Sequence, residues 1–126
     1  MKVITAKTIT QTVADLCAQA NFVLRKDVLS RLKAAWRKEA NKRAKDILKA
    51  TIDNSALAQR QRLAICQDTG LPCVFVELGQ EVIVKGDFKK AINKGIEIGY
   101  REGYLRASII KDPLARGVSG YSPAII

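Results

Sequence analysis

The chain has 126 residues and 48% hydrophobic content, enough for one domain with a modest core over residues 1–126 and too little for a second independent one. Twenty-two Lys and Arg against twelve Asp and Glu give a formal charge of +10, which favours negatively charged partners such as nucleic acid, membrane surfaces or small dianions without choosing among them. No run approaches the roughly 20 apolar residues of a membrane span, and Met1-Lys2-Val3-Ile4 leads into polar threonines rather than a secretion signal, so the chain reads as cytoplasmic and its three cysteines as thiols or metal ligands.

In chain order, the first periodic element begins at Thr8, where Thr8 and Gln11 fit a capping box and Ile9, Val13, Leu16 and Ala20 fall on one helical face. A helix or helix pair follows from about Lys26 to Thr51, with Asp27 as its cap and a buried stripe that includes Val28, Leu32, Trp36, Ala44, Ile47 and Leu48. Its other face is lysine and arginine. Asp53-Asn54-Ser55 predicts an interruption, because these side chains bond their own backbone, and a short helix then covers 56–63. Beyond residue 72 the period becomes that of strands. Cys73 to Leu78 and Glu81 to Lys85 are rich in β-branched and aromatic residues, and Gly79-Gln80 between them predicts a hairpin. Asp87 caps a further helix over 88–104, in which Gly95, Gly99 and Gly103 repeat every four residues. Each glycine costs a helix about 1 kcal/mol against alanine, so a shared glycine face predicts another backbone packed close against it. Asp112-Pro113 predicts a turn. The chain ends on Pro123-Ala124-Ile125-Ile126, which reads as the start of a strand with its continuation missing. The expected fold class is α+β: a helix-rich domain with a small sheet around 73–85.

The chemistry concentrates in Cys66-Gln67-Asp68-Thr69-Gly70, which places a thiol, an amide, a carboxylate and a hydroxyl side by side before a chain-breaking Gly70 and Pro72. A loop cysteine in a basic chain can ligate a metal or act as a nucleophile. The absence of histidine removes the usual base for a nucleophilic cysteine and the usual mixed zinc sets, and no C-x-x-C pairs are present. Iron–sulfur ligation survives this elimination. So does the plain alternative that Cys66 is a small buried hydrophobe at a helix end.

The motif string adds to this reading. Cys66 to Gly70, the following Val74-Phe75-Val76-Glu77 strand pattern, the stretch from Ala91 through the spaced glycines to Arg106, then Asp112-Pro113-Leu114 and Pro123-Ala124, resemble the class I fumarate hydratase and L-tartrate dehydratase family, in its alpha subunit or N-terminal domain. The likeness covers nearly the whole chain and is densest from Ile52 to Leu114.

The resemblance implies a [4Fe–4S] hydro-lyase acting on a C4 dicarboxylate, with three cysteines on the cluster and one iron open to substrate. It implies Cys66 as the first cluster ligand, Gln67 and Asp68 as substrate contacts with Asp68 also moving a proton, and Arg106 as the grip on a substrate carboxylate. Cys17 and Cys73 match no family ligand and read as packed thiols. The other ligands would come from a portion outside these residues, with a beta subunit or C-terminal domain completing a homo- or hetero-oligomer, so these 126 residues alone would not turn over. Family members carry an asparagine-bearing stretch before their Pro-Ala; residues 117–122 here lack both asparagines and are shorter, which leaves fumarate/malate against tartrate open. Two alternatives stand beside this. One is a basic helical nucleic-acid-binding module built on the ten Lys and Arg of residues 25 to 49, although neither interleaved aromatics nor an RNP-like string accompany them. The other is a non-catalytic relic or regulatory domain of the same family.

Overall fold

A computed structural model describes residues 1–110 and 112–126. The elements run β1 (Lys2–Thr5), α1 (Ala6–Phe22), α2 (Lys26–Lys38), α3 (Lys42–Gln61), β2 (Val82–Lys85) and α4 (Phe88–Glu102), so the fold is α+β and helix-rich. No helix among the described residues is long and apolar enough to cross a membrane. The chain forms two compact units. One comprises Met1–Ala18 with Gln67–Ile126, and the other Gln19–Cys66.

The first unit is organised by α1 against α4. Ile92 and Ile96 are its most deeply buried side chains, with Val13, Ala14, Ala91, Tyr100 and Leu105 around them. The glycine face explains how close the two helices come. A Cβ on Gly95 would lie 2.5 Å from the Thr10 carbonyl oxygen, and one on Gly99 would lie 2.6 Å from that of Ala14. The close packing expected from glycine spacing is therefore present at two of the three positions. Gly103 serves differently: it is the C-cap, and its N–H donates to the Gly99 carbonyl at 2.9 Å. At the other end of α4 the Asp87 carboxylate accepts the Lys90 N–H at 2.9 Å, which satisfies one of the donors a helix start leaves unpaired.

The sheet differs from expectation. β2 pairs in parallel with β1, in the register Lys2↔Val82, Val3↔Ile83, Ile4↔Val84 and Thr5↔Lys85. The hairpin over 73–85 is not formed. A turn does stand at Gly79, whose carbonyl accepts the Val82 N–H at 3.1 Å, but the segment before it pairs elsewhere: Cys73 bridges Ile125, and the Val74 N–H donates to the Ile125 carbonyl at 2.7 Å. The alternation of Val82-Ile83-Val84 suits any pleated partner, and β1 supplies β-branched Val3, Ile4 and Thr5 from the far end of the chain. Gly86, at φ +108°, then turns β2 into α4 where a Cβ would meet the Ala6 Cβ at 2.8 Å.

Helix α1 starts earlier than its sequence pattern suggests. Thr5 Oγ1, rather than Thr8, accepts a backbone N–H, that of Thr8 at 3.2 Å. The cap is a threonine either way, and a strand leading directly into the helix decides which one.

The second unit holds α2 and α3. The predicted helix pair is present, split at 39–41, where the Asn41 side chain accepts the Ala44 N–H at 3.2 Å. Asp27 lies inside the first turn of α2 rather than at its cap and pairs with Arg25, whose guanidinium holds the Asp27 carboxyl below its ordinary range. Leu32, Trp36, Ala44 and Leu48 of the expected stripe are half-buried, while Val28 and Ile47 are exposed. The predicted break at 53–55 does not occur: Asp53 and Asn54 have other partners, and the local bond of Ser55 runs back along the helix, where a continuing helix tolerates it. Asp53 pairs with Lys49, Ser55 Oγ donates to the Ile52 carbonyl, and Asn54 Nδ2 donates to the Ile65 carbonyl. α3 therefore continues to Gln61, and Arg62 closes it in the left-handed region at φ 55°.

Candidate functional site

Residues 64–66 leave α3 on a defined path. The Ile65 N–H donates to the Asn21 carbonyl at 3.0 Å, and its own carbonyl accepts Asn54 Nδ2 at 2.8 Å. Cys66 follows as an exposed thiol outside any disulfide. The reading of Cys66 as a buried small hydrophobe is overturned. Cys73 is also exposed, against its expected packing in a strand, whereas Cys17 is half-buried on α1 and burial raises its thiol pKa. Among the described residues no group of three His, Cys, Asp or Glu side chains gathers where it could hold a metal ion.

Gln67 and Asp68 are exposed, and Thr69 is only 9% exposed. Asp68 folds its carboxylate back onto the loop, with Oδ1 accepting the Gly70 N–H at 3.1 Å, and Gly70 takes φ +65°, a conformation that favours glycine. Buried Pro72 ends the loop, and its carbonyl accepts the Ile125 N–H at 3.2 Å.

Arg106 reaches this loop from the far end of α4. The helix stops at Gly103, Tyr104 takes φ 54°, and the N–H of buried Leu105 bonds the Tyr100 carbonyl at 2.8 Å. This reversal carries the Arg106 N–H to Thr69 Oγ1, 2.9 Å away. The Tyr100 hydroxyl donates to the Thr69 carbonyl at 3.1 Å. Asp68 and Arg106, 38 positions apart, therefore share one neighbour, and both are exposed. Sequence reasoning named both but gave Thr69 and Tyr100 no part. Thr69 lies inside the Cys66–Gly70 motif, and its hydroxyl was the available signal; Tyr100 was legible only as a core position of a helix.

The tail returns along α4. Ser122 Oγ donates to Glu97, the Ala124 N–H donates to Asn93 Oδ1 at 2.8 Å, and the rings of Tyr100 and Tyr121 lie 6.0 Å apart. Asp112 does form the predicted turn. Its carboxylate accepts the N–H groups of Ala115 and Leu114, which hold its pKa below the ordinary range.

Charge is unevenly divided. Residues 19–66 contain twelve Lys and Arg against four Asp and Glu, a net +8 of the total +10. Trp36, the chain's single tryptophan, lies under Lys45, whose ammonium is 5.6 Å from the ring centroid.

Comparison with known proteins gives two matches. The family model for fumarate hydratase (Fumerase) matches residues 10–126. A putative L(+)-tartrate dehydratase subunit alpha from Methanocaldococcus jannaschii is 33% identical over 110 residues, which is 86% of this chain and 38% of that protein. The chain thus spans under two-fifths of the length of the curated relative it matches.

Proposed function

Because this chain belongs to the fumarate hydratase (Fumerase) family, we propose that it forms part of a hydro-lyase for a C4 dicarboxylate, either hydrating fumarate reversibly to malate or removing water from tartrate. The observation that carries this reading is the hydrogen bond from the Arg106 N–H to Thr69 Oγ1, which ties the backbone of Arg106 to the residue next to Asp68. The formal charge of +10 supports a dianionic substrate, since a cationic protein raises its local concentration.

Each residue has a distinct part. The Arg106 guanidinium grips one substrate carboxylate with two parallel hydrogen bonds. Asp68 already uses one carboxylate oxygen on the Gly70 N–H, and its second oxygen takes or returns the proton at the carbon next to the hydroxyl-bearing one. Gln67, beside it, hydrogen-bonds the substrate through its amide. Exposed Cys66 fits as one thiolate ligand of a [4Fe–4S] cluster; the described residues assemble no complete ligand set, and the others would come from outside these 126 residues. When bound, such a cluster supplies an open iron that polarises the substrate hydroxyl. The relative is called a subunit alpha, which supports a catalytic unit completed by the rest of that subunit and by a beta subunit. Two exposed thiols outside any disulfide support a reducing, cytoplasmic setting.

The test is anaerobic assembly of the chain with the remainder of its subunit and partner, followed by assay of fumarate and tartrate turnover. Cys66→Ser is expected to abolish the brown cluster absorbance. Asp68→Asn should lower kcat by about 10²-fold or more with the cluster retained, and Arg106→Ala should raise KM chiefly. An iron-loaded assembly that converts neither acid would refute the proposal.

A further inference from the structure

We propose that Thr69 is a positioning residue, which holds the Asp68 carboxyl in register with the Arg106 guanidinium. This rests on the hydro-lyase reading and deepens it. Cys66, Gln67, Asp68 and Gly70 are exposed, whereas Thr69 is 9% exposed and its side chain turns inward. It uses two different groups on two distant partners: its hydroxyl accepts the Arg106 N–H, and its carbonyl accepts the hydroxyl of Tyr100, itself 4% exposed. Arg106 sits beyond the end of α4, so its N–H has no place in the helical ladder and would be left without a backbone partner in a part-buried position if Thr69 withdrew.

The consequence is chemical. A grip on one carboxylate is productive only if the carbon to be deprotonated then lies against Asp68, and a displacement of about 1 Å can cost 10²-fold in rate. Arg106 has a long, flexible side chain that reaches a carboxylate even when its backbone drifts. Loss of the Thr69 tie therefore leaves diacid binding in place and removes the alignment with Asp68. That pattern differs from loss of the guanidinium, which weakens binding, and from loss of fold, which removes active molecules without changing those that remain.

The test uses the assembled enzyme containing this chain, as wild type, Thr69→Val, Thr69→Ser and Tyr100→Phe. Folded fraction, kcat and KM per folded site are measured, together with the dissociation constant of succinate, a C4 diacid with no hydroxyl to eliminate and no double bond to hydrate. Thr69→Val is expected to lower kcat by about 10- to 100-fold while the succinate constant moves less than about twofold, and Thr69→Ser to recover kcat to within about threefold of wild type. If Thr69→Val does not fold, Tyr100→Phe carries the same expectation of lowered kcat with succinate binding kept, since it frees the Thr69 carbonyl and leaves the ring. Unchanged kcat in Thr69→Val, or in Tyr100→Phe where that variant carries the test, overturns the proposal. So does a serine variant as slow as the valine one, or activity lost only in proportion to folded protein. A wild-type assembly that neither binds succinate nor converts a C4 diacid overturns the hydro-lyase reading itself, whereas an active wild type matched by Thr69→Val removes only the role of Thr69.

Discussion

The two compact units are held by different physics. In Met1–Ala18 with Gln67–Ile126, two helices meet at glycine notches and bury Ile92 and Ile96 almost completely. In Gln19–Cys66, α2 buries no residue fully, Phe22 and Ala58 are the buried apolar side chains among the described residues, and a net +8 spreads over the surface. Backbone contact leaves the first unit no room to adjust. Capping, half-buried stripes and helix pairing leave the second tolerant of change.

The largest effect should come from filling a notch. Gly95→Val would press its side chain into the Thr10 carbonyl and Val13 Cβ, and we expect a loss of about 3 kcal/mol or outright unfolding, read as the denaturant midpoint. The same added volume at exposed Ala35 of α2 should change stability by no more than about 0.5 kcal/mol. Equal responses at the two sites would erase the contrast between the units.

The helix caps sharpen it at the next level. Asn41→Ala should cost about 1 kcal/mol at any pH, because an amide does not titrate. Asp87→Ala should behave differently. The Lys90 N–H favours the charged carboxylate and so depresses the folded pKa of Asp87 below its ordinary value. A group with a depressed folded pKa contributes its stability above the unfolded value, about 3.9, and loses it as pH falls through the folded one. Thermal melts should then show an Asp87→Ala penalty at neutral pH that fades in acid, below the usual carboxylate range, while the Asn41→Ala penalty persists.

The smallest effect concerns salt. Screening like charges should slow amide exchange in α3 by a few tenths of a kcal/mol as ionic strength rises, with α4 nearly unmoved. A larger salt response in α4 would mean that charge does not set the difference.

Local chemistry was legible where a short stretch suffices. Asp87 before Phe88 announces a cap, Gly95 and Gly99 announce a close neighbour without naming it, and Gly70 and Pro72 after Cys66-Gln67-Asp68-Thr69 announce a loop. Asp53-Asn54-Ser55 misled for a related reason. Their side chains can bond local backbone, but Asn54 instead bonds Ile65, eleven residues on, after the chain has turned.

From the sequence alone came the helices, the α+β class and the chemical character of the loop, because period, capping and turn chemistry act over a few residues. Only the tertiary structure decided that β2 pairs with β1 some 80 positions away rather than with its neighbour, and that the Arg106 backbone bonds Thr69, the residue next to Asp68. Strand alternation specifies a pleated surface but no partner, and a hydroxyl specifies an acceptor but no donor. Both choices are made when α1 and α4 close on their glycines and bring distant backbone within reach.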